Sequence, residues 1–339
     1  MTMNRDIIVI GGSAGALTSL VQILQSLDEG LPASYFVALH LSATSSAWLE
    51  GWLKKFTRLP VITPQSPIPI EPRTIYVARP DQHLLIKPGQ VHAARGPREN
   101  MFRPSIDVLF RSAAVAYQSR TVAVLLSGEL DDGTAGLKAV KQCGGLAIVQ
   151  NPSETAFGAM PRTALVNVDV DHTVSAFDIA GLLSRLIQES APATTIVPAE
   201  LLAEVLISDG STGYAGTGEP AAPPTSLSCP SCGGPLWKRP DEGEEYRCMV
   251  GHAFQLNSLG EAIDASLENA LWAAVRMFEQ RSHISKRMLE EEKQRGRNAL
   301  SQHFEARVAE SDAYAATLRT LLRNMTTLNT APSESDKRA

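Results

Sequence analysis

The chain has 339 residues, 44% of them hydrophobic and 20% charged, so it is long enough for two domains with buried cores. Its formal net charge is −5 and it has no long basic block, which argues against nucleic acid or an anionic membrane as the main partner. No signal segment and no run of about 18 apolar residues is present, which predicts a cytoplasmic protein without membrane insertion.

Residues 1–190 alternate short apolar runs with amphipathic segments. The predicted strands are 7–11, 35–40, 60–63, 74–78, 84–87, 122–127, 146–150 and 166–170. The predicted helices are 17–27, 45–56, 105–116, 134–143 and 176–187. Strands separated by helices indicate βαβ units, so the sequence predicts an α/β fold with a doubly wound, mostly parallel sheet.

A glycine-rich turn around a serine follows the first predicted strand. Gly11 and Gly15 flank Ser13 at the spacing of a nucleophile elbow, in which small residues permit a sharp turn and expose the serine hydroxyl. The same turn could hold a phosphate or be a simple tight turn, although the pattern G-x-G-x-x-G is absent. This stretch alone leaves all three interpretations open.

Three polar residues, Ser13, His40 and Asp132, lie at or after the ends of predicted strands. The carboxyl ends of parallel strands share one edge of the sheet, and serine, histidine and carboxylate together form a hydrolytic triad. Taken singly, His40 could be satisfied by the backbone, Asp132 could cap a helix, and Asp131 could exchange roles with Asp132. The order Ser, His, Asp differs from the Ser, Asp, His order of α/β-hydrolases.

Six segments resemble the catalytic domain of chemotaxis-type protein-glutamate methylesterases, the CheB family: IGGSAGA (10–16), ALH (38–40), IYVARPDQHLLI (75–86), RPSIDVLFRSAA (103–114), LLSGELDDGTAGL (125–137) and QNPSETAFGAMPRTAL (150–165). The resemblance implies that Ser13 is the nucleophile, His40 the base and Asp132 the third member of the triad. It also implies hydrolysis of glutamate methyl esters, deamidation of glutamines by the same route, and catalysis without a cofactor.

The resemblance further implies that a methyl-accepting receptor or a receptor-like signalling protein is the substrate. A methyltransferase, a kinase and a response regulator acting in trans are further candidate partners. Chemotaxis methylesterases usually carry an N-terminal receiver domain, whereas this chain enters its first predicted strand near Asp6. The chain resembles a receiver-less form, and its control is expected from a partner or from the C-terminal part.

Two positions depart from the usual family pattern. The family usually has S-T-G-G at the nucleophile, where this chain has Ala14 after Ser13, and it often has methionine at the position of Glu129. Backbone N–H groups near Ser13 and Ala14 and in the Glu129 loop are expected to stabilise the oxyanion, which an inward Glu129 carboxylate would oppose. These two departures and the missing receiver domain motivate a second hypothesis: a signalling scaffold with weak or no catalysis that uses the esterase fold as a binding module.

A cluster of possible metal ligands lies in residues 227–256. Its members have the spacing C-x2-C-x15-C-x3-H: Cys229, Cys232, Cys248 and His252. Thiolate and imidazole ligands at this spacing predict a structural zinc site of the zinc-ribbon type, with no open position for catalysis. The alternatives are reduced structural cysteines or a ligand set completed by another residue.

Three further regions complete the predicted organisation. Residues 191–226 are rich in Gly, Pro, Ala and Thr and predict a flexible linker, within which residues 201–207 could form a short helix. Apolar residues recur at spacings of three and four in residues 257–328, which predicts a helical hairpin or one long kinked helix. Residues 329–339 are expected to form a disordered tail.

Overall fold

The structure is a computed structural model, and it describes residues 4–40, 48–193, 196–214, 223–239 and 245–329. The predicted disordered tail lies outside the described residues, except for Asn329. The chain divides into two compact units, Met1–Gly260 and Glu261–Ala339. Among the described residues, no helix is both long enough and apolar enough to cross a bilayer.

Strands and helices alternate through the first unit, and the second unit is helical. The strands are β1 (Ile7–Gly12), β2 (Ser34–Leu39), β3 (Val61–Ile62), β4 (Ile68–Pro69), β5 (Ile75–Val77), β6 (His83–Lys87), β7 (Gln90–Ala94), β8 (Thr121–Leu125), β9 (Leu146–Gln150), β10 (His172–Val174), β11 (Leu236–Lys238), β12 (Tyr246–Cys248) and β13 (Ala253–Phe254). The helices are α1 (Ala16–Ser26), α2 (Leu49–Leu53), α3 (Ile106–Tyr117), α4 (Thr134–Gln142), α5 (Ala159–Asn167), α6 (Ala176–Leu186), α7 (Ala199–Ser208), α8 (Leu256–Gln294) and α9 (Asn298–Asn329).

A seven-stranded sheet with the order β10-β9-β8-β1-β2-β5-β3 forms the centre of the first unit, and all of its strand pairs are parallel. Strands β1 and β2 are buried along their whole length, as expected of strands covered on both faces. Ile8 and Ile10 pack in one apolar cluster with α1 and α6, whereas Ile7 and Val9 pack in the other with α3 and α4. These observations confirm the predicted doubly wound parallel sheet.

One predicted strand, at residues 166–170, is wrong. Helix α5 ends at Asn167, and the strand of that region is β10 at His172–Val174. Met160 and Ala164 of α5 are buried, whereas Val166 is 84% exposed. The alternation of apolar and polar residues after Leu165 resembled a half-buried strand, but it spans the exposed end of a helix and a loop. The helix predicted at 45–56 is described only from residue 48 and is helical over Leu49–Leu53.

Two smaller sheets accompany the central one. The first is antiparallel with the order β4-β7-β6, and only β6 matches a strand predicted from the sequence. The second is antiparallel with the order β11-β12-β13 and lies within the cysteine-rich segment, residues 227–256. Both sheets belong to the first compact unit.

Helix α7 lies within the segment that composition predicts as a linker. Its residues Leu201 and Ile207 are buried, and Leu201 joins the apolar cluster that contains α3. Glu204, on the same helix, is also buried and pairs with Arg111 of α3 at 2.9 Å. The short helix expected at residues 201–207 is therefore present, with bounds Ala199–Ser208, and it packs within the first unit.

In the second unit, α8 and α9 form an antiparallel hairpin. The chain turns after α8, where Gly296 has a φ of +71°. The rings of Phe278 and Tyr314 lie 5.1 Å apart between the helices, and Lys286 pairs with Asp312 at 3.2 Å. The hairpin is therefore the correct one of the two arrangements predicted for this region.

Candidate active site

Ser13 lies in the turn between β1 and α1. Gly15 precedes α1 with a φ of +75°, a conformation that glycine adopts without strain. A Cβ atom on Gly128 would lie 2.9 Å from Cβ of Ser13 and 2.7 Å from the side chain of Met160, so only glycine fits beside the serine. The glycines therefore place the Ser13 hydroxyl at the carboxyl end of β1, in the sharp turn that the sequence predicts.

The structure brings the side chains of Ser13, His40 and Asp132 together at the carboxyl ends of three adjacent strands, β1, β2 and β8. Nδ1 of His40 lies 3.1 Å from Oγ of Ser13, and Nε2 of His40 lies 2.7 Å from Oδ2 of Asp132. An ionised carboxylate can only accept a hydrogen bond, so Nε2 carries the proton and Nδ1 presents its lone pair to the serine hydroxyl. The three residues thus have the geometry of a nucleophile, a base and an orienting group.

The carboxylate of Asp132 is fully buried and accepts hydrogen bonds on both oxygens. The N–H of Ile106, at the start of α3, donates to Oδ2 at 2.7 Å, and the Ser105 hydroxyl and Asn100 amide donate to Oδ1 at 2.9 and 3.0 Å. Burial alone would raise the pKa of Asp132, but the hydrogen bonds from His40, Ile106 and Asn100 outweigh it and hold the pKa well below its usual value. The group is therefore anionic throughout the neutral range.

Asp131 has a different role from Asp132. Its carboxylate accepts hydrogen bonds from the N–H groups of Asn257 and Ser258, at 3.2 and 3.3 Å, and from the Ser258 hydroxyl. These donors lie in the first turn of α8, so Asp131 satisfies a helix N-terminus. The geometry at His40 supports Asp132 rather than Asp131 as the third member.

A tight turn, residues 99–102, lies against both His40 and Asp132. Glu99 and Phe102 exchange backbone hydrogen bonds at 3.3 and 2.9 Å, and Asn100 and Met101 between them have φ values of +50° and +71°. The Phe102 ring stacks on His40, with centroids 3.5 Å apart and planes 8° apart. Neither Asn100 nor Phe102 is predicted from the sequence, where the only signal for this turn is an asparagine, a residue that tolerates a positive φ.

Backbone N–H groups near Ser13 are only partly available for an oxyanion. The N–H of Ser13 donates to the carbonyl of Ser127 at 2.9 Å, and the N–H of Gly128 donates to the carbonyl of Phe157 at 2.8 Å. The Ser13 N–H is therefore not available to an oxyanion, contrary to expectation. The expected oxyanion donors that remain are the N–H groups of Ala14 and of the Glu129 loop. The Glu129 side chain is exposed rather than turned into the protein.

The four predicted metal ligands, Cys229, Cys232, Cys248 and His252, come together beside the β11-β12-β13 sheet, with their ligand atoms within 4.8 Å of one another. The Cys232 and Cys248 sulfurs are 3.7 Å apart, and His252 Nδ1 lies 3.8 Å and 3.5 Å from the sulfurs of Cys229 and Cys248. A tetrahedral Zn²⁺ with ordinary bond lengths separates two sulfurs by about 3.8 Å and a sulfur from a nitrogen by about 3.6 Å. The thiols are free, so the donor set and its spacing fit zinc.

Comparisons with known proteins identify the family of the first part of the chain. The family model for CheB methylesterase matches residues 8–183. A relative from Leptospira interrogans serovar copenhageni, provisionally named protein-glutamate methylesterase/protein-glutamine glutaminase, is 36% identical over 189 residues, covering 56% of this chain and 98% of the relative. The protein-glutamate methylesterase FrzG of Myxococcus xanthus is 32% identical over 161 residues, covering 47% of this chain and 48% of FrzG.

A solved structure has the same fold. The crystal structure of the Thermotoga maritima CheB methylesterase catalytic domain superposes with a TM-score of 0.51 at 30% identity, covering 54% of this chain and 98% of that domain. The family match ends within α6, so α7, the cysteine-rich segment and the α8–α9 hairpin lie outside it.

Proposed function

The chain belongs to the CheB methylesterase family of ester hydrolases, and we propose that it hydrolyses glutamate methyl esters, and deamidates glutamines, with Ser13, His40 and Asp132 as its triad. The observation that carries the proposal is the hydrogen-bonded series from the Ser13 hydroxyl through His40 to the buried Asp132 carboxylate. The proposed substrate is a methyl-accepting receptor or a receptor-like signalling protein, in keeping with the names of the relatives.

The proposed reaction is acyl transfer in two steps. His40 Nδ1 takes the Ser13 proton as Oγ attacks the ester carbonyl, and the same proton then leaves with the methoxide as methanol. Water, deprotonated by Nδ1, next attacks the acyl-enzyme, and Ser13 Oγ leaves with a proton from His40, which releases the glutamate carboxylate. With glutamine in place of the ester, the leaving group of the first step is ammonia.

The neighbouring groups fit these steps. Asp132 fixes the tautomer of His40 and stabilises the imidazolium that forms in each step. The N–H groups of Ala14 and the Glu129 loop are the proposed donors to the oxyanion. The scaffold hypothesis depended in part on Ala14 and Glu129. The exposed Glu129 side chain and the hydrogen bonds that join Ser13, His40 and Asp132 support the enzyme instead.

Methanol release from a methyl-esterified receptor cytoplasmic domain tests the proposal. We expect the protein to release methanol and a fluorophosphonate probe to stop the release by labelling Ser13, because only a serine activated by a base reacts with the probe at neutral pH. Ser26→Ala, an exposed serine on α1, is the matched control and should label like the original protein. Absence of methanol release, or a label on another serine, would contradict the proposal.

We propose that Cys229, Cys232, Cys248 and His252 hold one structural Zn²⁺. Four protein ligands leave no open position, so the metal serves the fold of the segment rather than the ester chemistry. Elemental analysis of the protein purified under reducing conditions should find about one zinc per chain.

Two cysteine variants test the assignment of the ligands. Cys248→Ala should lose most of the zinc, whereas Cys143→Ala should keep it, because Cys143 is buried at the end of α4 in the apolar core. Stoichiometric zinc retained by Cys248→Ala would show that the ligand set is different.

A further inference from the structure

The segment that holds the four metal ligands, residues 227–255, is joined to the 99–102 turn by backbone hydrogen bonds. The N–H of Asn100 donates to the carbonyl of Ala253 in β13 at 2.8 Å, and the N–H of Ala253 donates to the carbonyl of Arg98 at 3.4 Å. Ala253 directly follows the proposed ligand His252. The position of the turn therefore depends on where the ligand segment lies.

The side chain of Asn100 continues this connection to the triad. Its Oδ1 accepts from the N–H of Gln255 at 2.8 Å, and its Nδ2 donates to Asp132 at 3.0 Å and to Asp107 at 2.8 Å. Asn100 is 2% exposed, so water does not substitute for these partners. Because only the nitrogen can donate and only the oxygen can accept, these three partners allow one orientation of the Asn100 amide.

Two further contacts dock the same segment. Arg247, which precedes the ligand Cys248, is buried and lies 3.6 Å from the carboxylate of Glu99, the first residue of the turn. Asp131, next to the triad aspartate, holds the first turn of α8, which begins directly after Gln255. The segment thus contacts Asn100 and the preceding residue Glu99, and the helix that follows the segment contacts Asp131, the neighbour of Asp132.

We propose that Asn100 is a positioning residue through which the docked metal-binding segment holds Asp132, and with it His40, in the reactive geometry. Phe102 at the end of the same turn holds the face of the His40 ring. The segment would then support the activity of the esterase rather than form a separate appendage. This inference rests on the proposed function and extends it to the part of the chain outside the family match.

Removing the Asn100 side chain is the first test. Asn100→Gly suits the positive φ of the position and deletes the amide, and Met101→Gly, the next turn residue with a positive φ, is the matched control. Relative to Met101→Gly, we expect Asn100→Gly to lower kcat for methanol release and the rate of fluorophosphonate labelling by about 10- to 100-fold, with KM unchanged. Equal rates in the two variants would overturn the proposal.

Removing the donor from the metal-binding segment is the second test. Gln255→Pro deletes the N–H that donates to Oδ1 of Asn100, and Gln255→Ala keeps it, so the labelling rate of the proline variant is compared with that of the alanine variant.

Chelation of zinc is the third test. It should lower the labelling rate of the original protein but add little in Asn100→Gly, because both changes act through the same contact. Additive losses, or a proline variant as reactive as the alanine variant, would contradict the proposal.

A measurement without turnover separates this inference from the proposed function. The ring proton shared by His40 Nε2 and Asp132 should give a low-field signal in the proton NMR spectrum, identified by its loss in His40→Ala. We expect this signal to broaden or shift in Asn100→Gly and on zinc removal, but not in Met101→Gly. An unchanged signal would overturn the inference, whereas a protein that gives the signal but releases no methanol would overturn only the proposed function.

Discussion

Ser13→Ala is expected to lower kcat for methanol release by about 10⁴- to 10⁶-fold, as loss of the nucleophile does in serine hydrolases. The variant has no hydroxyl for His40 Nδ1 to deprotonate, so it forms no acyl-enzyme, and water must attack the ester directly. Binding of the substrate is expected to change little, because only one small oxygen atom is lost. The measurement is methanol release under single-turnover conditions, together with the dissociation constant of the esterified substrate.

The control for this variant is Ser26→Ala, which removes an exposed hydroxyl from the adjoining helix α1 and should leave the rate unchanged. Circular dichroism and zinc content should be the same in both variants, since the Ser13 side chain takes part in no core cluster. A Ser13→Ala variant that kept more than a tenth of the original rate would show that another group is the nucleophile.

The sequence predicts the central sheet and the triad because both depend on local signals. Runs such as Ile7–Gly12 are apolar enough to identify buried strands without knowledge of their neighbours. Parallel strands then bring their carboxyl ends to one edge, so the positions of Ser13, His40 and Asp132 after three strands suffice to predict their proximity. The proximity of Cys229, Cys232, Cys248 and His252 is likewise predicted by their spacing, which is typical of zinc ribbons.

The 99–102 turn could not be predicted in the same way. Its key contact joins Asn100 to Gln255, which are 155 positions apart, and neither residue lies in a sequence motif that predicts this hydrogen bond. The positive φ of Met101 goes against the preference of that residue, so local propensity would not suggest this turn either. Tertiary contacts, rather than the local sequence, maintain the conformation.

The contacts of residues 227–255 with the 99–102 turn, α3 and α7 could not be predicted from the sequence for a related reason. Three arginines and three glutamates form a network of ion pairs in this region: Arg111, Arg239, Arg247, Glu99, Glu204 and Glu245. In a sequence such residues predict an exposed surface, since single charges are rarely buried. Five of them are buried here, and Arg239 partly so, because each charge meets an opposite charge: Glu245 meets the nearby Arg247, and the other ion pairs join the 99–102 turn, α3, α7 and residues 227–255.

Glu99→Gln is expected to lower the free energy of unfolding of the first unit by about 3–5 kcal/mol at pH 7. The Glu99 carboxylate accepts from Arg111 at 2.6 Å and from the Ser208 hydroxyl at 2.8 Å, and it lies 3.6 Å from Arg247. Glutamine keeps the size of the side chain but removes its negative charge. The buried network then has one positive guanidinium charge that no carboxylate balances. Urea unfolding of the zinc-loaded protein, followed by tryptophan fluorescence, measures the difference.

The pH dependence of this effect identifies its electrostatic origin. Burial alone would raise the pKa of Glu99, but the charges of Arg111 and Arg247 outweigh it and lower the pKa from 4.5 to about 2. A lowered pKa stabilises the folded state fully above 4.5, and the stabilisation is lost as the pH falls from 4.5 towards 2. The shift corresponds to roughly 3 kcal/mol, of the same order as the expected loss in the variant.

The stability difference between the original protein and Glu99→Gln should therefore be constant between pH 7 and about 5 and shrink as the pH is lowered towards 3. Glu200→Gln, an exposed glutamate at the start of α7, is the matched control and should unfold like the original protein at every pH. A Glu99→Gln variant of unchanged stability at pH 7 would show that the carboxylate does not stabilise the docked segment. A deficit that stayed constant down to pH 3 would instead assign the loss to packing rather than to charge.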